Sequence, residues 1–97
     1  MYIVHLTYIA PLEQIDALIP EHAAWLDEHY ATGAFLLSGR REPRTGGVIL
    51  TAAMPRADLD AILAGDPFGR AGVAEYEVVE FLPGKTAPEL AAHRITS

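Results

Sequence analysis

Strand-like and helix-like segments follow one another along this chain in an order that few folds accommodate. Four segments are rich in β-branched, aliphatic and aromatic residues, as strands are: 2–8, 34–38, 48–53 and 73–82. Two others repeat apolar residues every three or four positions, as amphipathic helices do: 12–33 and 55–65. The order β-α-β-β-α-β predicts an α+β, ferredoxin-like chain, with both helices on one face of a four-stranded antiparallel sheet.

The sheet face opposite the helices has no layer of its own chain to cover it. In this sequence that face is expected to expose apolar side chains, and a second copy of the chain can cover them. We therefore expect a homodimer that is joined face to face through its sheets.

Length and composition limit the classes of function. A chain of 97 residues fits one domain, 1–97, in which 84–97 form a C-terminal tail. The net charge of -6 disfavours a nucleic-acid or anionic-membrane partner, because phosphates need a basic surface. The chain has no cysteine, which excludes disulfides and thiolate metal sites, and no signal peptide or membrane helix is evident. A reducing cytoplasm is therefore the expected location.

The segment 64–68, Ala-Gly-Asp-Pro-Phe, places an acidic residue beside a proline. A residue before proline is driven out of helical geometry, and Gly65 is expected to end the preceding helix in the left-handed conformation. Asp66 then lies on a fixed turn, which Phe68 anchors in the core. Asp66 is either a turn residue that bonds its own backbone or a functional carboxylate, depending on what else reaches the turn.

Pro20 interrupts the first helical segment. It either kinks that segment or begins a new helix at its first turn. His22 is then expected in the first turn after Pro20, beside the apolar stripe. The other histidines of the body are interpreted as structural: His5 at the surface of the sheet, and His29 in the last turn of the helix, which Gly33 closes.

Three of the seven Lys and Arg residues lie between positions 40 and 45. Arg40, Arg41 and Arg44 form either a solvated connector or a cationic rim that attracts an anion. As a rim, these guanidinium groups could hold the carboxylate of a small ligand.

Over about residues 1–83 the chain resembles the YCII-related (YciI-like) proteins. The matching features are strand 2–8, Pro20-Glu21-His22 with Trp25-Leu26, Gly33 followed by Ser38-Gly39, Gly46-Gly47-Val48, Asp66-Pro67-Phe68 and Glu80-Phe81. The resemblance implies a small dimeric α+β barrel domain. It also implies an active-site pair, His22 and Asp66. With them we expect a substrate-binding set: Ser38, Gly39, Arg40, Arg44 and Phe68.

Two departures from the family pattern concern the same pocket. Many relatives carry Arg where this chain has Ile19, and many carry Pro where it has Arg40. One charge is therefore lost and another gained. We expect the pocket to be retained and its substrate to differ.

Two function classes remain open. The first is a cofactor-independent enzyme of lyase or isomerase type that uses His–Asp general acid/base chemistry on a small anionic organic acid. A carboxylate on one imidazole nitrogen fixes the tautomer and makes the other nitrogen a better base. The resemblance adds a dehydrochlorinase acting on a chlorinated muconate as the best-known activity. The alternative is a non-catalytic dimeric ligand-binding or accessory module. A metal site ranks lowest, since His22 and Asp66 supply too few ligands.

Overall fold

A computed structural model describes residues 1–95 of the chain. Its elements are β1 Tyr2–Tyr8, α1 Leu12–Ala31, β2 Phe35–Arg40, β3 Gly46–Thr51, α2 Arg56–Ala64, α3 Pro67–Arg70, β4 Ala74–Glu80 and a 3₁₀ helix, Pro88–His93. The predicted β-α-β-β-α-β order is confirmed, with the short helix α3 added between α2 and β4. The last two residues of the predicted tail 84–97, residues 96 and 97, lie outside the described residues. Between residues 1 and 95, none of the helices has the length and apolar character needed to cross a membrane.

The four strands form one antiparallel sheet in the order β2-β3-β1-β4, as the ferredoxin-like prediction requires. Residues that lie directly opposite each other in such a sheet point to the same face. Val4 is opposite Ile49 on one side and Val78 on the other, so these three face the same layer. The α+β ferredoxin-like fold is thus confirmed.

The core lies between the sheet and the helices. Alternate residues of β1, namely Tyr2, Val4 and Leu6, are buried there. Ile15 and Trp25 of α1 and Leu59 of α2 close the core from the other side. The Trp25 indole N–H also donates to the backbone carbonyl of Ile62 at 3.1 Å, which ties α1 to α2.

Helix α1 runs without a break through Pro20, so no new helix begins there. Ile15 and Trp25 are buried on either side of the proline, and their packing against the sheet offsets the backbone hydrogen bond that proline cannot make. His22 therefore lies near the middle of α1 and not in a first turn. Gly33, with φ of +83°, follows the end of α1 as predicted.

The predicted left-handed Gly65 is wrong. Gly65 has φ of -89° and ψ of -7°, which is right-handed geometry. The N–H groups of Gly65 and Asp66 still bond to the carbonyls of Ile62 and Leu63, both at 3.1 Å, so the last turn tightens. The helical path ends only at Asp66, whose extended backbone precedes Pro67.

Strands β2 and β3 pair further towards their connecting loop than predicted, as far as Arg40 and Gly47. Gly46 and Gly47 belong to β3 and do not form a turn. A Cβ on Gly46 would lie 1.8 Å from the carbonyl oxygen of Leu6, so glycine permits β1 to approach here. Arg40 is thus a strand residue, and only Arg41 and Arg44 of the three arginines lie in the loop.

Candidate functional site

The carboxylate of Asp66 begins a helix. Its extended backbone (φ -66°, ψ 124°) puts it at the N-cap of α3, and Oδ1 accepts a hydrogen bond from the N–H of Phe68 at 3.1 Å. Pro67 occupies the first turn, where the N–H it lacks would have had no partner. Asp66 is fully buried, so a short local motif holds a carboxylate inside the protein in one orientation.

His22 meets this carboxylate from α1. Its Nδ1 lies 2.8 Å from Oδ1 of Asp66, and the side chain is 16% exposed against 0% for Asp66. The imidazole stacks on Phe68, with ring centroids 4.0 Å apart and planes 10° from parallel. The centroid of the Trp25 ring lies 5.5 Å from that of the imidazole. The structure thus brings together the two residues of the predicted pair, at a distance that needs no bridging water.

Tyr76 also contacts this carboxylate, and the sequence analysis did not identify it. Its hydroxyl donates to Oδ2 of Asp66 at 2.5 Å. Burial, followed by the hydrogen bond and the charge of Asp66, raises the pKa of Tyr76, so the phenol remains protonated. The sequence signal that could have identified Tyr76 is the alternation of side chains along β4. Tyr76 lies opposite the buried Leu6 of β1 and therefore points to the same face of the sheet.

A cavity of about 260 Å³ opens beside His22, between α1 and the β2–β3 side of the sheet. Its walls are mostly apolar, with Tyr8, Leu26 and Ile49 among them. The five predicted substrate-binding residues all line it: Ser38, Gly39, Arg40, Arg44 and Phe68. Asp66 does not line the cavity. It lies behind His22 and reaches a bound molecule only through the imidazole.

The polar groups around the cavity already have partners. Ser38 shares a hydrogen bond with Tyr30 of α1. Arg44 is paired with Asp16, and this hydrogen bond raises the pKa of the guanidinium. Arg40 lies 3.3 Å from Glu42 at a well-exposed position.

Arg41, the remaining arginine of the cluster, has a structural role. Its Nη2 donates to Thr7 Oγ1 at 2.9 Å and to the carbonyl of Thr45 at 3.2 Å. Only Arg40 and Arg44 of the cluster therefore lie at the cavity.

The geometry permits proton transfer. A carboxylate only accepts hydrogen bonds, so its short contact with His22 pairs it with the Nδ1–H form of the imidazole. Nε2 is then the nitrogen with a free lone pair, on the ring that lines the cavity. Such an imidazole can accept a proton from a bound molecule and return it. Within residues 1–95, no three His, Asp or Glu side chains are grouped closely enough to hold a metal ion.

Comparisons with known proteins give a family and a fold. The family model of the YCII-related domain matches residues 1–82. No curated protein matches the chain significantly. Among solved structures, 5-chloro-2-hydroxyhydroquinone dehydrochlorinase from Burkholderia phenoliruptrix, in complex with 2,5-dihydroxybenzoquinone, matches with a TM-score of 0.71 and 19% identity. The match covers 87% of this chain and 96% of that one, and at this identity it shows the shared fold alone.

Proposed function

The chain belongs to the YCII-related domain family, and from that premise we propose that it is a small cofactor-independent enzyme of lyase or isomerase type. Its substrate is a small anionic organic acid, and His22 is the general base. The single observation that carries the proposal is the His22–Asp66 contact of 2.8 Å, at the wall of a cavity of about 260 Å³. A buried carboxylate that orients an imidazole is a recurrent arrangement for proton transfer.

The proposed reaction begins with proton abstraction. Nε2 of His22 takes a proton from a carbon next to a carbonyl group, while Asp66 holds Nδ1–H and stabilises the imidazolium that forms. In a lyase-type step the remaining electron pair expels a leaving group such as chloride. In an isomerase-type step the imidazolium returns the proton to another carbon.

The cavity supports this substrate class through its shape and charge. Arg40 and Arg44 both line it, and guanidinium groups bind carboxylates through paired hydrogen bonds. The aromatic rings of Tyr8 and Phe68 add flat apolar surfaces to the cavity wall. The dehydrochlorinase with the same fold was solved with a quinone, so chlorinated hydroxyaromatic compounds join small carboxylic acids in the first substrate panel.

The test combines binding with turnover. The wild-type protein and His22→Ala are screened by thermal shift against that panel, and chloride release is measured for its chlorinated members. We expect at least one compound to stabilise both proteins and to be turned over at least about 100-fold more slowly by His22→Ala than by the wild type. Binding with equal, uncatalysed decay in both proteins would replace the enzyme by a ligand-binding module.

We also propose that the protein acts as a homodimer joined through the open face of its sheet. The support is a row of aliphatic residues on that face, for which a test at the scale of the whole molecule is given below.

A further inference from the structure

A tyrosine on β4 completes the hydrogen bonding of the buried carboxylate behind His22. Oδ1 of Asp66 has two partners, the Phe68 N–H at 3.1 Å and Nδ1 of His22 at 2.8 Å, whereas Oδ2 has the Tyr76 hydroxyl at 2.5 Å. A buried carboxylate oxygen without a donor would be strongly unfavourable. Without the Tyr76 hydroxyl, Oδ2 would lose this donor, and the two contacts of Oδ1 alone would fix the rotation of the carboxylate.

Gly69 of α3 makes room for this tyrosine. A Cβ built on Gly69 would lie 2.9 Å from the Tyr76 hydroxyl oxygen and 3.0 Å from its Cε2, closer than side chains normally pack. The φ angle of Gly69 is not positive, so space and not backbone conformation explains glycine at this position. The same four-residue helix thus places the N-cap of Asp66 and admits the ring that satisfies its second oxygen.

We infer that Tyr76 is a positioning residue for the proposed base: its hydroxyl holds Asp66 in the rotation that keeps His22 in the Nδ1–H form, and Gly69 is the residue that lets it do so. Tyr76 does not line the cavity beside His22, so it acts through Asp66 and not on the substrate. The inference deepens the proposed function, on which its catalytic meaning rests.

The test reads the tautomer of His22 directly. Protein labelled with ¹⁵N-histidine is examined by long-range ¹H–¹⁵N correlation, which connects the carbon-bound ring protons to both ring nitrogens. The spectrum is recorded at a pH where the imidazole is neutral, and the His22→Ala spectrum assigns the signals of His22. We expect the wild type to hold His22 in the Nδ1–H form. Tyr76→Phe keeps the ring and removes only the hydroxyl, and it should lower the ratio of Nδ1–H to Nε2–H by at least about fivefold.

Gly69→Ala should shift the ratio in the same direction, because the added methyl group displaces a tyrosine that keeps its hydroxyl. The matched control is Tyr30→Phe, which also removes a tyrosine hydroxyl, here one bonded to Ser38 at the cavity. Its His22 tautomer should match the wild type.

If Tyr76 had a purely structural role, Tyr76→Phe would lower the unfolding temperature and leave the tautomer ratio of His22 unchanged. This result would overturn the inference. If Tyr76→Phe does not fold, Gly69→Ala decides alone by the same ratio. None of these measurements requires a substrate. A protein that turns over nothing but shows the expected shifts refutes the proposed function and retains the positioning role of Tyr76.

Discussion

At the residue scale, the candidate site depends on one carboxylate that serves two structures. Asp66 caps α3 through Phe68 and orients His22 through the same oxygen. Local sequence predicts a fixed turn at Asp66, because a residue before proline is driven out of helical geometry, but it does not predict the helix that Asp66 caps. It does not predict the tyrosine, because Tyr76 reaches Asp66 only after β4 has paired with β1.

Replacing Asp66 by Asn tests whether its charge is needed. The amide has nearly the same shape and can keep an oxygen towards the Phe68 N–H, so the protein should fold, with a loss of about 1–3 kcal/mol in the free energy of unfolding. An amide does not stabilise the imidazolium, so turnover of any substrate found should fall by about 100-fold or more. Urea unfolding and steady-state kinetics measure the two effects. Asp60→Asn on the exposed side of α2 is the control and should alter neither quantity much. Unimpaired turnover by a folded Asp66→Asn protein would contradict the role of Asp66.

Tyr76 should make the protein less stable in alkali. Burial and the bond to Asp66 raise the pKa of Tyr76 above the ordinary value of 10.0, so the folded state retains a proton that the unfolded state loses. This contribution is fully present below about pH 10 and is lost as the pH rises above it.

Urea unfolding at about pH 9 and about pH 11 measures this effect. The free energy of unfolding should fall by less than about 1.4 kcal/mol per pH unit, because the ring is partly exposed. The decline should be smaller in Tyr76→Phe. Tyr2, whose pKa burial also raises, is present in both proteins and cancels in the comparison. Equal declines in the two proteins would show that Tyr76 does not hold its proton.

At the element scale, periodicity predicted what local pattern can determine. Apolar spacing predicts the four strands and the two longer helices. The glycine at position 33 predicts where α1 stops, just before it. The unbroken helix through Pro20 could not be predicted, because packing of Ile15 and Trp25 against the sheet outweighs the local preference. The four-residue helix α3 is too short for a periodic signal.

The arginines at the end of β2 and in the loop after it provide a second test at this scale. Arg40 and Arg44 line the cavity from a strand end and a loop, in a chain with a net charge of -6. We expect the double variant Arg40→Ala and Arg44→Ala to weaken binding of a small carboxylate such as benzoate by about 10-fold at low salt, with a smaller difference at high salt.

Titration calorimetry measures the affinities. Arg56→Ala is the matched control, because Arg56 also forms an exposed pair, with Asp60 at 2.9 Å, and does not line this cavity. Equal affinity in the double variant and the wild type would reduce the arginine segment to a solvated connector.

At the scale of the whole molecule, one face of the sheet is not covered by the helices and exposes aliphatic side chains. One residue from each strand forms a row across this face: Leu37, Leu50, Ile3 and Val79. Leu37 is 53% exposed and Val79 42%. The next row places His5 between Val48 and Glu77, so the face becomes more polar away from the first row. Element order alone predicted an uncovered face, and register then identifies its residues.

The proposed homodimer follows from this row. A contiguous aliphatic surface costs free energy in water, and a second copy of the same face removes it by a symmetric contact. We expect sedimentation at micromolar concentration to give twice the 10.5 kDa mass of one chain. Val79→Lys should shift the equilibrium towards the monomer, because dimerisation would bury an ammonium group without a partner. Leu12→Lys is the control, since Leu12 is 43% exposed, nearly as much as Val79, but belongs to the helix layer. A single 10.5 kDa species in the wild type would refute the dimer, and equal dissociation by both variants would refute this face as the interface.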